Sequence, residues 1–267
     1  MENYFVLFIY NFQINNKKYL NNKNNEFIYL YIKKMNPELV LVVGDMFVPQ
    51  RSQDIDPQFK TILIPNKLQH VLSLGNIGSR ESYDWLKSLS NDFHSVKGDF
   101  DEGDMPEKKV VTIGEFKIGL IHGHQILPWG NAEALSSVQR ELDCDILLSG
   151  NTHQINVKVV DNKLFINPGS ISGAFSNVVP DPSPSFVLMV LQGTEAIIYL
   201  YVLNDRSQKF EVNKIEFTKG ADNYRLANDN ENENEEEPKE QNEEQPQEMQ
   251  EQPQEEPKEE PAQEGSE

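Results

Sequence analysis

The sequence predicts an α/β fold in four layers, an αββα sandwich of two mixed sheets with helices outside. Three observations predict it. Through the first part of residues 37–220, short apolar runs alternate with amphipathic segments. After about residue 155 the runs are strand-like only. Five of the early runs or their successors end in glycine followed by a polar residue, which places the chemistry where strands leave a sheet.

The elements follow in order. ELVLVVGD (38–45) is a continuous β-rich run of the kind buried on both faces of a sheet. HVLSLGN (70–76) and FHSVKGD (93–99) repeat that form. Between them, ESYDWLKSL (81–89) sets Tyr83, Trp85, Leu86 and Leu89 at mostly helical spacing, with Ser79 ahead as an N-cap. KKVVTIG (108–114) and FKIGLIHGH (116–124) read as a hairpin around Gly114 and Glu115. NAEALSSVQRELD (131–143) is a helix, and CDILLSGNTH (144–153) contains another buried strand. The rest is β: INVKVVDNKLFINPGS (155–170), turning at Asp161–Asn162, then SFVLMVLQ (185–192), EAIIYLYVL (195–203) and KFEVNKIEF (209–217).

Composition divides the 267 residues in three. Residues 1–36 are rich in Asn, Lys and Tyr and read as a disordered low-complexity extension. Met35 stands just before the first core strand as a natural start, so residues 1–34 read as an addition to the domain or an artefact of the gene model. Residues 37–220 are long enough to bury one sizeable core. Residues 221–267 carry 18 acidic and 3 basic side chains, so this tail holds −15 of the net charge of −19 and leaves −4 for everything before it. A segment so charged and so poor in apolar residues cannot offset its chain entropy, and disorder is expected. The single cysteine, Cys144, excludes a disulfide framework within the chain and fits a reducing compartment. Its place in CDILLSG is that of a small buried residue. The runs YFVLFIY (4–10) and EFIYLYI (26–32) fall short of the ~18 apolar residues that cross a bilayer. The first lacks the basic leader and small-residue cleavage site of a signal peptide. With a mildly acidic domain and no basic stripe, nucleic-acid binding is not expected.

GDMF, GNIG, GDFD, HGHQ and GNTH deliver Asp45, Asn76, Asp99, His122 and His153 to one cleft. One such piece is an ordinary turn or cap. Five in order, each after an apolar strand, point to a site for paired divalent ions, which need several N and O ligands and one bridging residue. Asp45 supplies an oxygen, Asn76 is placed to bridge, and Asp99, His122 and His153 complete the shells. Phe47, Phe100 and Asn151 stand where a working site would want further imidazoles. His124 is expected to orient its neighbours, and His70 and His94 to be ordinary surface or core histidines.

The motif order resembles the calcineurin-like metallophosphoesterase superfamily, whose pattern runs GDxH, GDxx, GN(H/C)(D/E), HGH, GHxH. LIHGHQILPWG (120–130), GDFDEGD (98–104), INPGSISGAF (166–175) and PSFVLM (184–189) resemble one branch of it, the Vps29 family of retromer subunits, over about residues 37–219. The resemblance implies a metallophosphoesterase-like fold with two metal positions, one using Asp45, Asn76 and His153, the other Asn76, Asp99 and His122. It implies that Asn76 replaces a bridging Asp and Phe100 a catalytic His, both as in that branch. Phe47 in GDxH and Asn151 in GHxH are departures of this chain. Phenylalanine cannot coordinate, and an amide oxygen suits zinc poorly.

Losing a ligand from each position costs at least the ~10–100-fold typical of damage to a supporting residue, and losing a general acid a further ~100–10,000-fold. The expected cofactor is therefore one weakly bound divalent ion, zinc or manganese, or none. With such a site, the resemblance implies the role of a non-enzymatic adaptor in endosome-to-Golgi retrograde transport. The resemblance implies docking on the Vps35 helical solenoid with other retromer subunits, and indirect, peripheral endosomal membrane contact. The alternative is a divalent-metal phosphoesterase with a weakened binuclear site. EAIIYLYVL and SFVLMVLQ are apolar on both alternating faces. Leu39, Leu127, Leu188, Tyr199 and Tyr201 then form a second apolar surface, or are simply core. In the Vps29 family similar positions receive regulators, including Rab GTPase-activating proteins.

Overall fold

In the computed structural model, residues 37–64, 67–204, 209–220 and 224–226 are described. The expectations for residues 1–36 and for nearly all of the acidic tail lie outside them. β1 (Glu38–Val43), β2 (His70–Ser73) and β3 (Asp92–Ser95) run parallel. β4 (Lys108–Ile113) and β5 (Phe116–Ile121) form the expected hairpin. β6 (Ile146–Ser149), β7 (Ile155–Val160), β8 (Lys163–Pro168), β9 (Ser185–Gln192), β10 (Glu195–Asn204), β11 (Lys209–Thr218) and β12 (Tyr224–Leu226) complete the strands. The helices are α1 (Pro57–Ile62), α2 (Arg80–Leu89) and α3 (Ala132–Leu142).

One sheet has the order β12-β11-β10-β9-β1-β2-β3 and the other β4-β5-β6-β8-β7. Both are mixed, because β9–β12, β4 and β7 pair antiparallel. Three apolar clusters fix the layers. Val40, Val42 and Leu72 of the first sheet pack on Ile118, Leu120 and Leu148 of the second. The other faces of β1, β9 and β10 pack on Phe59 of α1 and Leu86 and Leu89 of α2. Ile121, Leu147 and Phe165 pack on Leu135 of α3. This is the αββα sandwich. Strands apolar on both faces are what its two inner layers require.

Ser79 caps α2 by accepting from the Ser82 N–H, and Asn131 caps α3 by accepting from the Ala134 N–H. The hairpin at Asp161 and Asn162 turns with both residues at positive φ, the type I′ geometry Asn and Asp tolerate. Three details differ from the sequence reading. α1 was not expected; Asp56 caps it and Pro57 opens it. The strand expected to run to Asp99 leaves the ladder after Ser95. A Cβ on Gly98 would meet Asn76 Oδ1 at 2.2 Å, so Gly98 is the close crossing that brings Asp99 beside Asn76. The first sheet also takes in β12, beyond the domain end expected at 220.

Because β1–β3 and β5, β6 and β8 are each parallel sets, their following loops leave at carboxyl edges. The two carboxyl edges are tied together. Ile171 N–H donates to Gly44 O at 3.2 Å, and Ser170 Oγ donates to Asp45 O at 2.7 Å. No helix among the described residues is long and apolar enough to cross a membrane.

Candidate functional site

Asp45 follows β1 and is fully buried. Its Oδ2 accepts the Asn151 N–H at 2.8 Å, and its Oδ1 meets His122 Nε2 at 3.1 Å, His153 Nε2 at 3.4 Å and Asn76 Nδ2 at 3.3 Å. Asn76 Nδ2 also donates to Asp99 Oδ1 at 2.9 Å and lies 2.8 Å from His122 Nε2. All five residues singled out from the motifs therefore converge. Asp101 holds the loops beneath them, accepting from the backbone N–H groups of Asn76, Ile77 and Gly98.

The backbone marks the same place. Eight non-glycine residues among those described have positive φ, and five of them are Asp45, Phe47, Asn76, Asn151 and His153. The other three cap a helix or turn a hairpin. Such conformations cost about 1–3 kcal/mol each and persist where the surroundings over-determine them, typically at functional sites. Phenylalanine is a costlier occupant of this region than Asn, Asp or His.

Electrostatics follow from burial. Burial alone would raise the Asp45 carboxyl, but hydrogen bonds and charge from His122 and His153 hold it well below the ordinary carboxylate range. Burial likewise opposes charge on His122, yet the Asp45 hydrogen bond and the charges of Asp45, Asp99 and Asp101 outweigh it and raise its pKa. His124 is shifted down by burial and by His122. Its Nδ1 faces His122 Nδ1 at 2.9 Å, so it does hold its neighbour's ring. His153 Nδ1 donates to the Ala174 carbonyl at 2.5 Å, which leaves Nε2 aimed at Asp45.

A divalent ion sets strict distances for such a donor set. Bonds of ~2.0–2.2 Å in tetrahedral or octahedral geometry set neighbouring ligand atoms about 3.0–3.5 Å apart. The contacts of Asp45 Oδ1 with His122 and His153 fall in that range. Asp99, His122 and His124 also offer ligand atoms within 4.8 Å of one another. Asn76 presents its amide nitrogen to this group, while its oxygen accepts the Phe100 N–H at 3.0 Å. To ligate through oxygen the amide would have to turn over and release that N–H. Phe47 is fully buried and places its ring 5.6 Å from that of His153. Asn151 is buried with Nδ2 unpartnered. The residues present fit one ion, held by Asp45 and His153 or by Asp99 and His122; they do not fit a full pair.

Around this polar centre the rim is apolar. Phe100, Leu127, Trp129, Phe175 and Val178 are exposed, and all lie on carboxyl-edge loops. The expected apolar set divides. Leu39, Leu188, Tyr199 and Tyr201 share one cluster under the helices, with Leu188 and Tyr201 buried and Tyr199 half-buried. Leu127 stands apart from them on the rim, 74% exposed. The sequence reading missed the place of Trp129 and Phe175, and also Arg51, whose guanidinium lies 3.9 Å over Phe47.

A family profile, the calcineurin-like phosphoesterase superfamily domain, matches residues 38–193. The chain is 41% identical over 186 residues to vacuolar protein sorting-associated protein 29 of Schizosaccharomyces pombe, covering 68% of this chain and 98% of that one. Vps29 of Entamoeba histolytica, crystallised in complex with Zn2+, is similar at a TM-score of 0.64 and 46% identity, covering 67% of this chain and 99% of the other. Vps29 of Chaetomium thermophilum, crystallised with a cyclic peptide, is similar at a TM-score of 0.62 and 35% identity, covering 69% and 99%.

Proposed function

Because the chain belongs to the Vps29 family of the calcineurin-like phosphoesterase superfamily, we propose that it is a non-catalytic scaffold subunit of the retromer coat. In this reading it docks on a Vps35-like helical solenoid, joins the other retromer subunits and reaches the endosomal membrane only through the complex, serving retrograde protein transport.

One observation carries the reading. Among the described residues, five of the eight exposed large apolar side chains lie on the carboxyl-edge loops: Phe100, Leu127, Trp129, Phe175 and Val178. Exposed apolar side chains gathered on the loops around a polar centre are interface chemistry. The centre itself supports non-catalysis. Phe100 has no proton to give a leaving group, and its N–H occupies the Asn76 oxygen. A single ion, when bound, would neutralise Asp45 or Asp99 and tie neighbouring loops together. Zinc is the ion the Entamoeba relative carries, and manganese suits the oxygen-rich half of the donor set.

On the helix side of the first sheet, Tyr199 with its neighbour Val190 offers a second contact, backed by the buried Leu39, Leu188 and Tyr201. Register supports it, since Tyr199 is paired with Leu188 and both lie on the same face as Leu39. Regulators such as Rab GTPase-activating proteins would meet the half-exposed part of this face around Tyr199 and Val190.

Pull-down of a purified Vps35-like solenoid, run beside hydrolysis of an aryl phosphate with manganese or zinc, tests the assignment. Retention of the solenoid without turnover is expected. Turnover abolished by Asp99→Ala, with no solenoid retained, would reverse it in favour of a weakened phosphoesterase.

A further inference from the structure

Arg51 lies at the mouth of the site among three aromatic rings. Its guanidinium carbon is 3.9 Å from the centroid of Phe47, 4.6 Å from Phe100 and 5.3 Å from Phe175. Nη1 donates to the Phe175 carbonyl at 3.1 Å, joining segments 124 residues apart. A guanidinium has five N–H donors, so this contact leaves most of the fork open. Asp54, three residues on, is taken by Lys60 at 2.7 Å. Among the described residues no carboxylate is within ion-pair distance of Arg51.

We propose that Arg51 is the anchor for a carboxylate of the docking partner: a Glu or Asp on a helix of the solenoid pairs with the guanidinium between Phe100 and Phe175. This rests on the docking role assigned to the rim, and deepens it by naming the chemistry at its centre. A partner seated on Phe100 and Phe175, which are 62% and 51% exposed, must also cover Arg51. A covered cation without a counter-charge is strongly unfavourable, whereas one already stacked and tethered has little freedom left to lose on pairing. The partner must therefore supply an anion there. One guanidinium matches the single charge of a carboxylate. The Asp99 side chain, 37% exposed beside Phe100, disfavours a doubly charged phosphate.

Isothermal titration of the full chain with the purified C-terminal solenoid of a Vps35-like partner tests this. Arg51→Glu should weaken binding at least about 30-fold and Arg51→Met about 10-fold, while thermal unfolding confirms that both variants fold. The wild-type affinity should fall with salt more steeply than that of Arg51→Met. A Glu-to-Lys exchange on the facing partner helix should restore Arg51→Glu binding. Unchanged affinity of Arg51→Glu, or weakening in both variants with the wild-type salt dependence, overturns the anchor and leaves docking intact. Failure of the wild-type chain to bind at all sinks the docking assignment and the anchor with it.

Discussion

Histidines and carboxylates meet at both ends of the first sheet, with different consequences. At the amino ends of β1–β3, His70 Nδ1 lies 2.5 Å from Asp92 Oδ2, His94 Nε2 lies 3.1 Å from Asp92 Oδ1, and Glu38 is 3.4 Å from His70. Asp92 is 47% exposed there, and the four residues have ordinary backbones. At the carboxyl ends Asp45 and His122 are wholly buried, and Asp45, Asn76 and His153 sit at positive φ. Proximity of imidazole and carboxylate is thus common to the two ends. Burial, backbone strain and an apolar rim belong to one. These properties, not the residue types, set the carboxyl edge apart.

The largest expected effect breaks the rim. Leu127→Asp should weaken solenoid binding by about 100-fold or more while moving the melting temperature by only a degree or two, measured by titration and calorimetry. Next comes the contrast in stability. Asp45→Ala leaves His122 and His153 facing each other without their buried counter-charge and should cost about 3–5 kcal/mol, whereas Asp92→Ala should cost under about 1 kcal/mol because its pairs are screened by solvent. Chemical denaturation of the two variants measures that difference directly.

The pH dependence is a finer test, made in a chelator to keep the site metal-free. Asp45 is depressed in the folded protein, so its contribution is present above the unfolded value near ~3.9 and is lost as pH falls through the folded one. His122 is raised, so its contribution is complete below about 6.5 and is lost as pH rises through the folded value. Melting temperature should therefore decline on both sides of a plateau. Asp45→Asn should flatten the acid limb and His122→Gln the alkaline limb. The smallest effect concerns metal: an ion present near its Kd adds only about 0.4 kcal/mol, so chelation should shift melting by about 1–2 °C.

Much of this was legible in the chain. Gly-then-ligand motifs at the ends of apolar runs located Asp45, Asn76, Asp99, His122 and His153, because parallel strands deliver their carboxyl ends to one edge. α1 escaped because six residues show no helical period; its signal was the Asp56–Pro57 start. Apolarity on both faces of β9 and β10 was read as one buried face and a second apolar surface that is either exposed or core, and a sequence does not say that α1 covers much of that second face. Phe59 packs there 4.7 Å from Phe186, which stacks on Tyr201. Arg51 was invisible because its meaning depends on Phe100 and Phe175, remote in sequence. The rim was invisible as a rim for the same reason: Leu127 looked like a partner of Tyr199 until the fold left it exposed on a loop, outside the cluster that holds Tyr199.

In the role proposed above, this carboxyl edge recognises a protein partner without needing a metal centre. Its most direct test is the affinity of the full chain for the solenoid, measured once in EDTA and once in excess zinc. Affinities agreeing within about threefold, or roughly 0.7 kcal/mol, are predicted. Binding that disappears in EDTA and returns with zinc would contradict the claim.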